Sequence, residues 1–115
     1  MYAGVAVHVF LKAVDMRKGA DSLALLVQLA GFDVSQPRAF VFFSRGRDRV
    51  KLLYWDENGF WLCSKRLERG CFVVPAQTAL SWSELMLVLQ GIDLSVRRLR
   101  RVPMQCVARI ISTLP

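Results

Sequence analysis

The side chains with the clearest chemistry in this sequence are cations. Sixteen Lys and Arg stand against nine Asp and Glu, a net charge of +7, and twelve of the sixteen are Arg. A planar guanidinium meets two phosphate oxygens at once, so an excess of Arg points to polyanions such as nucleic acid or an acidic membrane surface. The cations come in groups: Arg17 with Lys18; Arg45, Arg47, Arg49 and Lys51; Lys65, Arg66 and Arg69; and the run Arg97-Arg98-Leu99-Arg100-Arg101. Tyr54, Trp55 and Trp61 are interleaved with the second and third groups, the mixture that a nucleic-acid surface uses for phosphate contact and base stacking. The same charges also suit exposed strand faces and sheet edges that must stay soluble.

Catalytic patterns are missing. No phosphate-cradling glycine loop, nucleophile elbow, His-Glu-x-x-His run or Cys-x-x-Cys pair occurs, so we expect neither an enzyme nor a cofactor. Asp15, Asp21, Asp48, Asp56, Glu57 and Glu68 fall mostly where caps and turns use acids structurally. A minor, nuclease-like reading would use Asp15 and Asp56 to hold a metal. Cys63, Cys71 and Cys106 are odd in number, with only His8 as an imidazole partner, which argues against zinc and against a disulfide framework. They read as small buried hydrophobes in a reducing cytoplasm. Charges interrupt every apolar run before the roughly 18 residues that a membrane span needs, and no signal peptide is recognisable. The expected location is cytoplasmic, without a membrane partner.

These side chains must be positioned by a sheet. From Ala39 to Pro75, three runs rich in Val, Phe, Tyr and Trp are separated by Arg45-Gly46-Arg47-Asp48 and Asp56-Glu57-Asn58-Gly59, the pattern of a three-stranded antiparallel meander. With Asn58-Gly59 as a two-residue turn, Trp55 would face Leu62, Leu53 would face Ser64 and Lys51 would face Arg66, while Val41 and Phe43 share a face with Val50 and Leu52 beside them. One face is then largely apolar, and the other carries Arg49, Lys51 and Arg66 beside Trp55. Residues 4–11 add an N-terminal strand containing His8, an edge or core histidine.

Leu23, Leu26, Val27 and Ala30 follow helical spacing up to a stop at Gly31, which predicts a helix of about fourteen residues with Asp15 as its N-cap. Arg17 and Lys18 would then oppose the helix dipole in the first turn. Either a bound anion offsets that, or the two cations pair with Asp15 or Asp21. Cys71 to Pro75 reads as a short extended piece. Ser81-Trp82-Ser83-Glu84 is a capping box opening a second, buried helix that stops at Gly91. The expected fold is a single α+β domain over residues 1–93: a small antiparallel sheet, made of the meander plus the N-terminal strand, packed with two helices. Residues 94–115 form a tail, basic and then amphipathic, with Met104, Val107, Ala108 and Ile111 at helical spacing after Pro103.

Several runs resemble the TnpB accessory proteins of insertion-sequence-66-type elements. They are Asp15-Met16-Arg17-Lys18-Gly19 with Asp21 and Leu23, Phe40-Val41-Phe42, Lys51-Leu52-Leu53-Tyr54-Trp55-Asp56, Gly59, Lys65-Arg66-Leu67-Glu68-Arg69-Gly70, Phe72, Pro75 and Gly91-Ile92-Asp93. The similarity covers about Val9 to Asp93, and the tail departs from it. It implies a non-catalytic accessory factor in DNA transposition, and its motif positions Met16, Arg17, Lys18, Lys65, Arg66, Glu68 and Arg69 overlap the cations chosen from pattern. The expectation is DNA binding, or binding to the transposase–DNA complex, through Arg17, Lys18, Arg45, Arg47, Arg49, Lys51, Lys65, Arg66 and Arg69. The rival comes from the 54% hydrophobic content, high for so basic a chain. It is an adaptor or self-associating module that meets the transposase or a second copy through apolar surface, without touching DNA.

Overall fold

The β-branched and aromatic runs form strands β1 (Ala6–Phe10), β2 (Arg38–Phe43), β3 (Arg49–Asp56) and β4 (Gly59–Arg66). Helix α1 (Ala20–Leu29) lies between β1 and β2, and a two-residue strand β5 (Ala79–Leu80) precedes helix α2 (Trp82–Leu89). The structure, a computed structural model, describes residues 5–95. The Arg97–Arg101 run and the amphipathic stretch 103–113 lie outside the described residues.

The fold is α+β, with one five-stranded sheet in the order β4-β3-β2-β1-β5. The sheet is mixed where the sequence suggested antiparallel strands throughout, because β1 pairs with β2 in parallel, Ala6 beside Arg38 and Phe10 beside Phe42. A parallel pair needs a crossover of a dozen or more residues, and the segment carrying α1 supplies it. β5 then pairs antiparallel with β1.

Alternation along the strands divides two cores. On one side, Val7, Val9, Val41, Phe43, Val50 and Leu52 pack with Leu85 and Val88 of α2 and with Phe72. On the other, Phe40, Phe42 and Leu53 pack with Leu23, Ala24 and Val27 of α1, with Phe10, Phe32, Phe60 and Leu62 at the margin. Both faces of the central strands are therefore covered, which accounts for much of the high apolar content.

The β3–β4 hairpin turns one position earlier than the sequence suggested. Glu57-Asn58 forms the turn, with Glu57 at φ +50°, and the pairs are Asp56 with Gly59, Leu53 with Leu62, Lys51 with Ser64 and Arg49 with Arg66. This is a register shift of two residues. Side chains alternate with a period of two, so every residue keeps the face expected for it. Val41 and Phe43 lie beside Val50 and Leu52 on one face as expected, the pairs being Val41 with Leu52 and Phe43 with Val50.

The helix ends divide in the same way. Ser81 accepts from the Glu84 amide at 3.1 Å and Glu84 accepts from the Ser81 amide at 2.9 Å, completing the capping box at α2. Gly31 and Gly91, at φ +91° and +83°, follow the two helices and stop them. At the start of α1 the expectation fails: the N-cap is Gly19, which offers no side chain, and the helix has ten residues rather than fourteen. Cys71–Pro75 belongs to no strand. Hydrogen bonds from the Leu67 amide to the Asp48 carbonyl and from the Phe72 amide to the Arg47 carbonyl tie residues 67–72 to the β2–β3 turn instead. Cys63 is exposed rather than buried, and Cys71 is half-buried. Among the described residues, no helix is long and apolar enough to cross a membrane.

Candidate nucleic-acid interface

Helix α1 packs over Phe40, Phe42 and Leu53, with Phe60 and Leu62 at the margin, and leaves one end of β3 and β4 outside that core. Past its N-terminus the same face of β3 and β4 continues as Arg49, Lys51, Ser64 and Arg66, the residues that alternate with the covered Leu53 and Leu62. Arg49 and Arg66 are directly opposite each other across the ladder, and Lys51 lies two residues along on the same face. Like charges in that position are mutually destabilising.

Residues 14–18 pass over this charged end. The Lys51 ammonium donates to the Lys18 carbonyl at 2.8 Å, fixing the loop to the strand. Asp15 sits in a turn closed by the Lys18 amide on its carbonyl. Its carboxylate takes the Arg17 guanidinium in a two-pronged ion pair, 2.7 Å from Nη2 and 3.1 Å from Nε, and also accepts from the Arg17 amide. Those hydrogen bonds hold the Asp15 carboxyl well below the usual carboxylate range and push the Arg17 guanidinium up. Asp15 is thus a turn acid that fixes Arg17, not a helix cap. Arg17 and Lys18 precede the helix rather than occupying its first turn.

Two depressions flank the loop. One is lined by Met16, Arg49, Lys51, Ser64 and Arg66 with Val50 and Lys65; the other by Val14, Asp15, Met16, Arg17, Ser44, Arg45, Gly46, Asp48 and Arg49. Met16 and Arg49 line both, so they join into one trough. Among the described residues, four cations and no acid line the β4 end; at the turn end three Arg share it with Asp15 and Asp48.

Of the nine cations read from the sequence, the fold gathers Arg17, Arg45, Arg49, Lys51 and Arg66 here, with Lys18 joined through its carbonyl. Lys65 contributes to the wall, but its ammonium donates to the Leu89 carbonyl at the end of α2. Arg47 and Arg69 are exposed outside the trough. The aromatic residues do not join the cations. Tyr54 is buried in the opposite core, Trp55 stands at the far end of β3 with its edge on Phe60, and Trp61 lies on the other face, its indole donating to Asp56 at 3.0 Å. Stacking platforms interleaved with cations are therefore absent from the described part of this surface.

The two acids of the nuclease-like reading are kept apart. Asp15 lies over the Arg49 end of β3 and Asp56 closes its other end, about 23 Å away at 3.3 Å per residue. Among the described residues, no three His, Cys, Asp or Glu come together as a metal site. Sequence reasoning missed Met16 as the floor shared by the two depressions and Ser64 as the polar group between cations. Alternation from Leu62 would have found Ser64.

The described residues thus form a small mixed sheet with a basic trough beside one helix. Residues 5–99 match the family described as IS66 Orf2 like protein, and the chain belongs to that family. It is 33% identical to the uncharacterized protein y4jC of Sinorhizobium fredii over 89% of this chain and 90% of that protein. It is also 39% identical to y4hO of the same organism, likewise uncharacterized, over 69% of this chain and 73% of that one. No solved structure matches the chain. The family is an accessory component of IS66 elements and not a known enzyme.

Proposed function

We infer that the protein is a non-catalytic accessory factor of transposition that binds element DNA, alone or with its transposase, through the trough formed by Arg17, Arg45, Arg49, Lys51 and Arg66. The observation that carries this is the Arg49–Arg66 pair. Arg49 and Arg66 are direct partners across the ladder, Lys51 is on the same face, and no acid among the described residues lines that end. A fold selected for stability alone gains nothing from such a pair, whereas a row of phosphates would relieve it and gain bidentate contacts. Lys18 and the 14–18 loop position the rim, and family membership supplies the setting.

Duplex DNA titrated at two salt concentrations tests the reading. Phosphate-driven binding should weaken by orders of magnitude between about 50 and 200 mM salt, in proportion to the number of phosphates neutralised. Absence of binding at low salt would overturn it. A second reading, contact with the transposase through apolar surface, is favoured by Leu25 and Leu29. They lie one turn apart on α1 and are 54% and 75% exposed. It predicts capture of the transposase that is insensitive to salt and lost on Leu25→Ser with Leu29→Ser.

A further inference from the structure

The sheet has two very unequal edges. One is β5, two residues long. The other is β4, eight residues paired to β3 without interruption and with no strand on its outer side among the described residues. Natural edges are usually kept from pairing by shortness, proline, a bulge or a covering element. The ladder of β4 is unbroken, the strand contains no proline, and it carries Trp61, which is 54% exposed. Among the described residues Lys65 and Arg66 are the guard that charge supplies on this strand, and they sit at one end.

That charge distribution selects a partner. The strand begins at an acidic turn, Asp56-Glu57, and ends in Lys65, Arg66 and, past the strand, Arg69. A parallel neighbour of the same sequence would set like charges together at both ends. An antiparallel neighbour of the same sequence reverses them. We propose that β4 is the self-association edge of this protein, pairing antiparallel with β4 of a second copy about a two-fold axis at Cys63.

The register follows from the side chains. Two symmetric registers use nearly the whole strand, with the axis at Leu62 or at Cys63. At Leu62, Glu68 would fall opposite Asp56 of the second copy and Lys65 opposite Gly59. At Cys63, Lys65 falls opposite Trp61, Arg66 opposite Phe60, and Arg69 opposite Glu57. Each cation then meets an aromatic ring or an acid. Such a two-fold axis stands perpendicular to the sheet, so both basic troughs face the same way. The pairing itself does not depend on DNA.

Register also supplies the test. Residues on the axis have Cα atoms about 4.5–5.5 Å apart, within the disulfide range. Nuclease-treated full-length protein should sediment as a dimer, twice the 13.1 kDa chain, and diamide should join the two Cys63 thiols, taking up their two hydrogens. The crosslink should vanish in Cys63→Ser and persist in Cys71→Ser and Cys106→Ser. Moving the thiol by one residue, Cys63→Ser with Ser64→Cys, separates the pair to about 8 Å and should abolish it. Trp61→Lys, which sets Lys against Lys65 of the second copy, should weaken the dimer about tenfold or more, and adding Lys65→Glu should restore it. A monomer at all concentrations, as expected if the edge instead takes a strand from another protein, would overturn the proposal. So would a crosslink that survives the move to position 64. Should Trp61→Lys fail to fold by circular dichroism, the thiol comparison still decides.

Discussion

The α1-facing side of β3 and β4 is one surface built by one alternation, yet its two halves differ in kind. Toward the Glu57 turn it carries Leu53, Leu62 and Phe60, closed over by Leu23 and Val27. Toward the β2–β3 turn it carries Arg49, Lys51, Ser64 and Arg66, open to solvent beside Met16. The backbone pairing is the same in both halves and the loading is opposite. Burial of apolar area holds the first half together, whereas the second is held in spite of its own repulsion. Stability and binding should therefore separate along a single pair of strands.

The largest effect should come from the covered half. Leu53 has no exposed surface, and Leu53→Ala should lower stability by about 2–5 kcal/mol in denaturant unfolding, leaving DNA affinity unchanged wherever the variant remains folded. The reverse is expected in the open half. Arg49→Gln with Arg66→Gln should leave the unfolding midpoint unchanged or raised, since a like-charge pair is removed. The slope of log affinity against log salt should become shallower by about 2. If the same double variant unfolds the protein, the two halves are not separable.

A finer probe is Asp15→Asn. It frees the Arg17 guanidinium and adds one unit of positive charge beside Arg45, so duplex affinity should rise modestly at low salt and the salt slope should steepen by about one. Because the Asp15 carboxyl is held low in the folded protein, any stability it contributes is present above its unfolded pKa near 3.9 and is lost as pH falls below that.

The smallest effect belongs to His8, in the covered half among Phe10, Phe32 and Phe40. Burial, with Arg38 nearby, lowers its pKa. A lowered histidine binds fewer protons folded than unfolded, so stability should decline as pH falls from about 6.5 through the folded value. His8→Phe should flatten that part of the pH–stability curve.

Legibility in the sequence followed the range of the interaction. The capping box at Ser81 and Glu84, the stops at Gly31 and Gly91 and the faces of the meander are all decided within a few residues, and they were readable. The parallel pairing of β1 with β2 was not, because it depends on how residues 11–37 cross the sheet. Nor was the start of α1: Asp15 looks like a cap, but Arg17 two residues later captures its carboxylate and the helix waits for Ala20. Half of the trough was visible as clustered charge. Alternation alone puts Trp61 on the other face, but the trough's separation from Trp55 was not readable, since alternation tells which side a residue takes and not how far along the strand α1 reaches.

The displaced hairpin turn carries a consequence for how this protein tolerates change. A strand pair has a reading frame of two, so a two-residue turn displaced along the chain slides β4 by an even number of positions and leaves Leu62 on the helix side and Arg66 on the trough's side. An odd insertion at Glu57-Asn58 has to be absorbed in a longer loop, because keeping the two-residue turn would invert the strand, turning Trp61 and Lys65 toward α1 and Leu62 outward, and would erase core and cationic rim in one step.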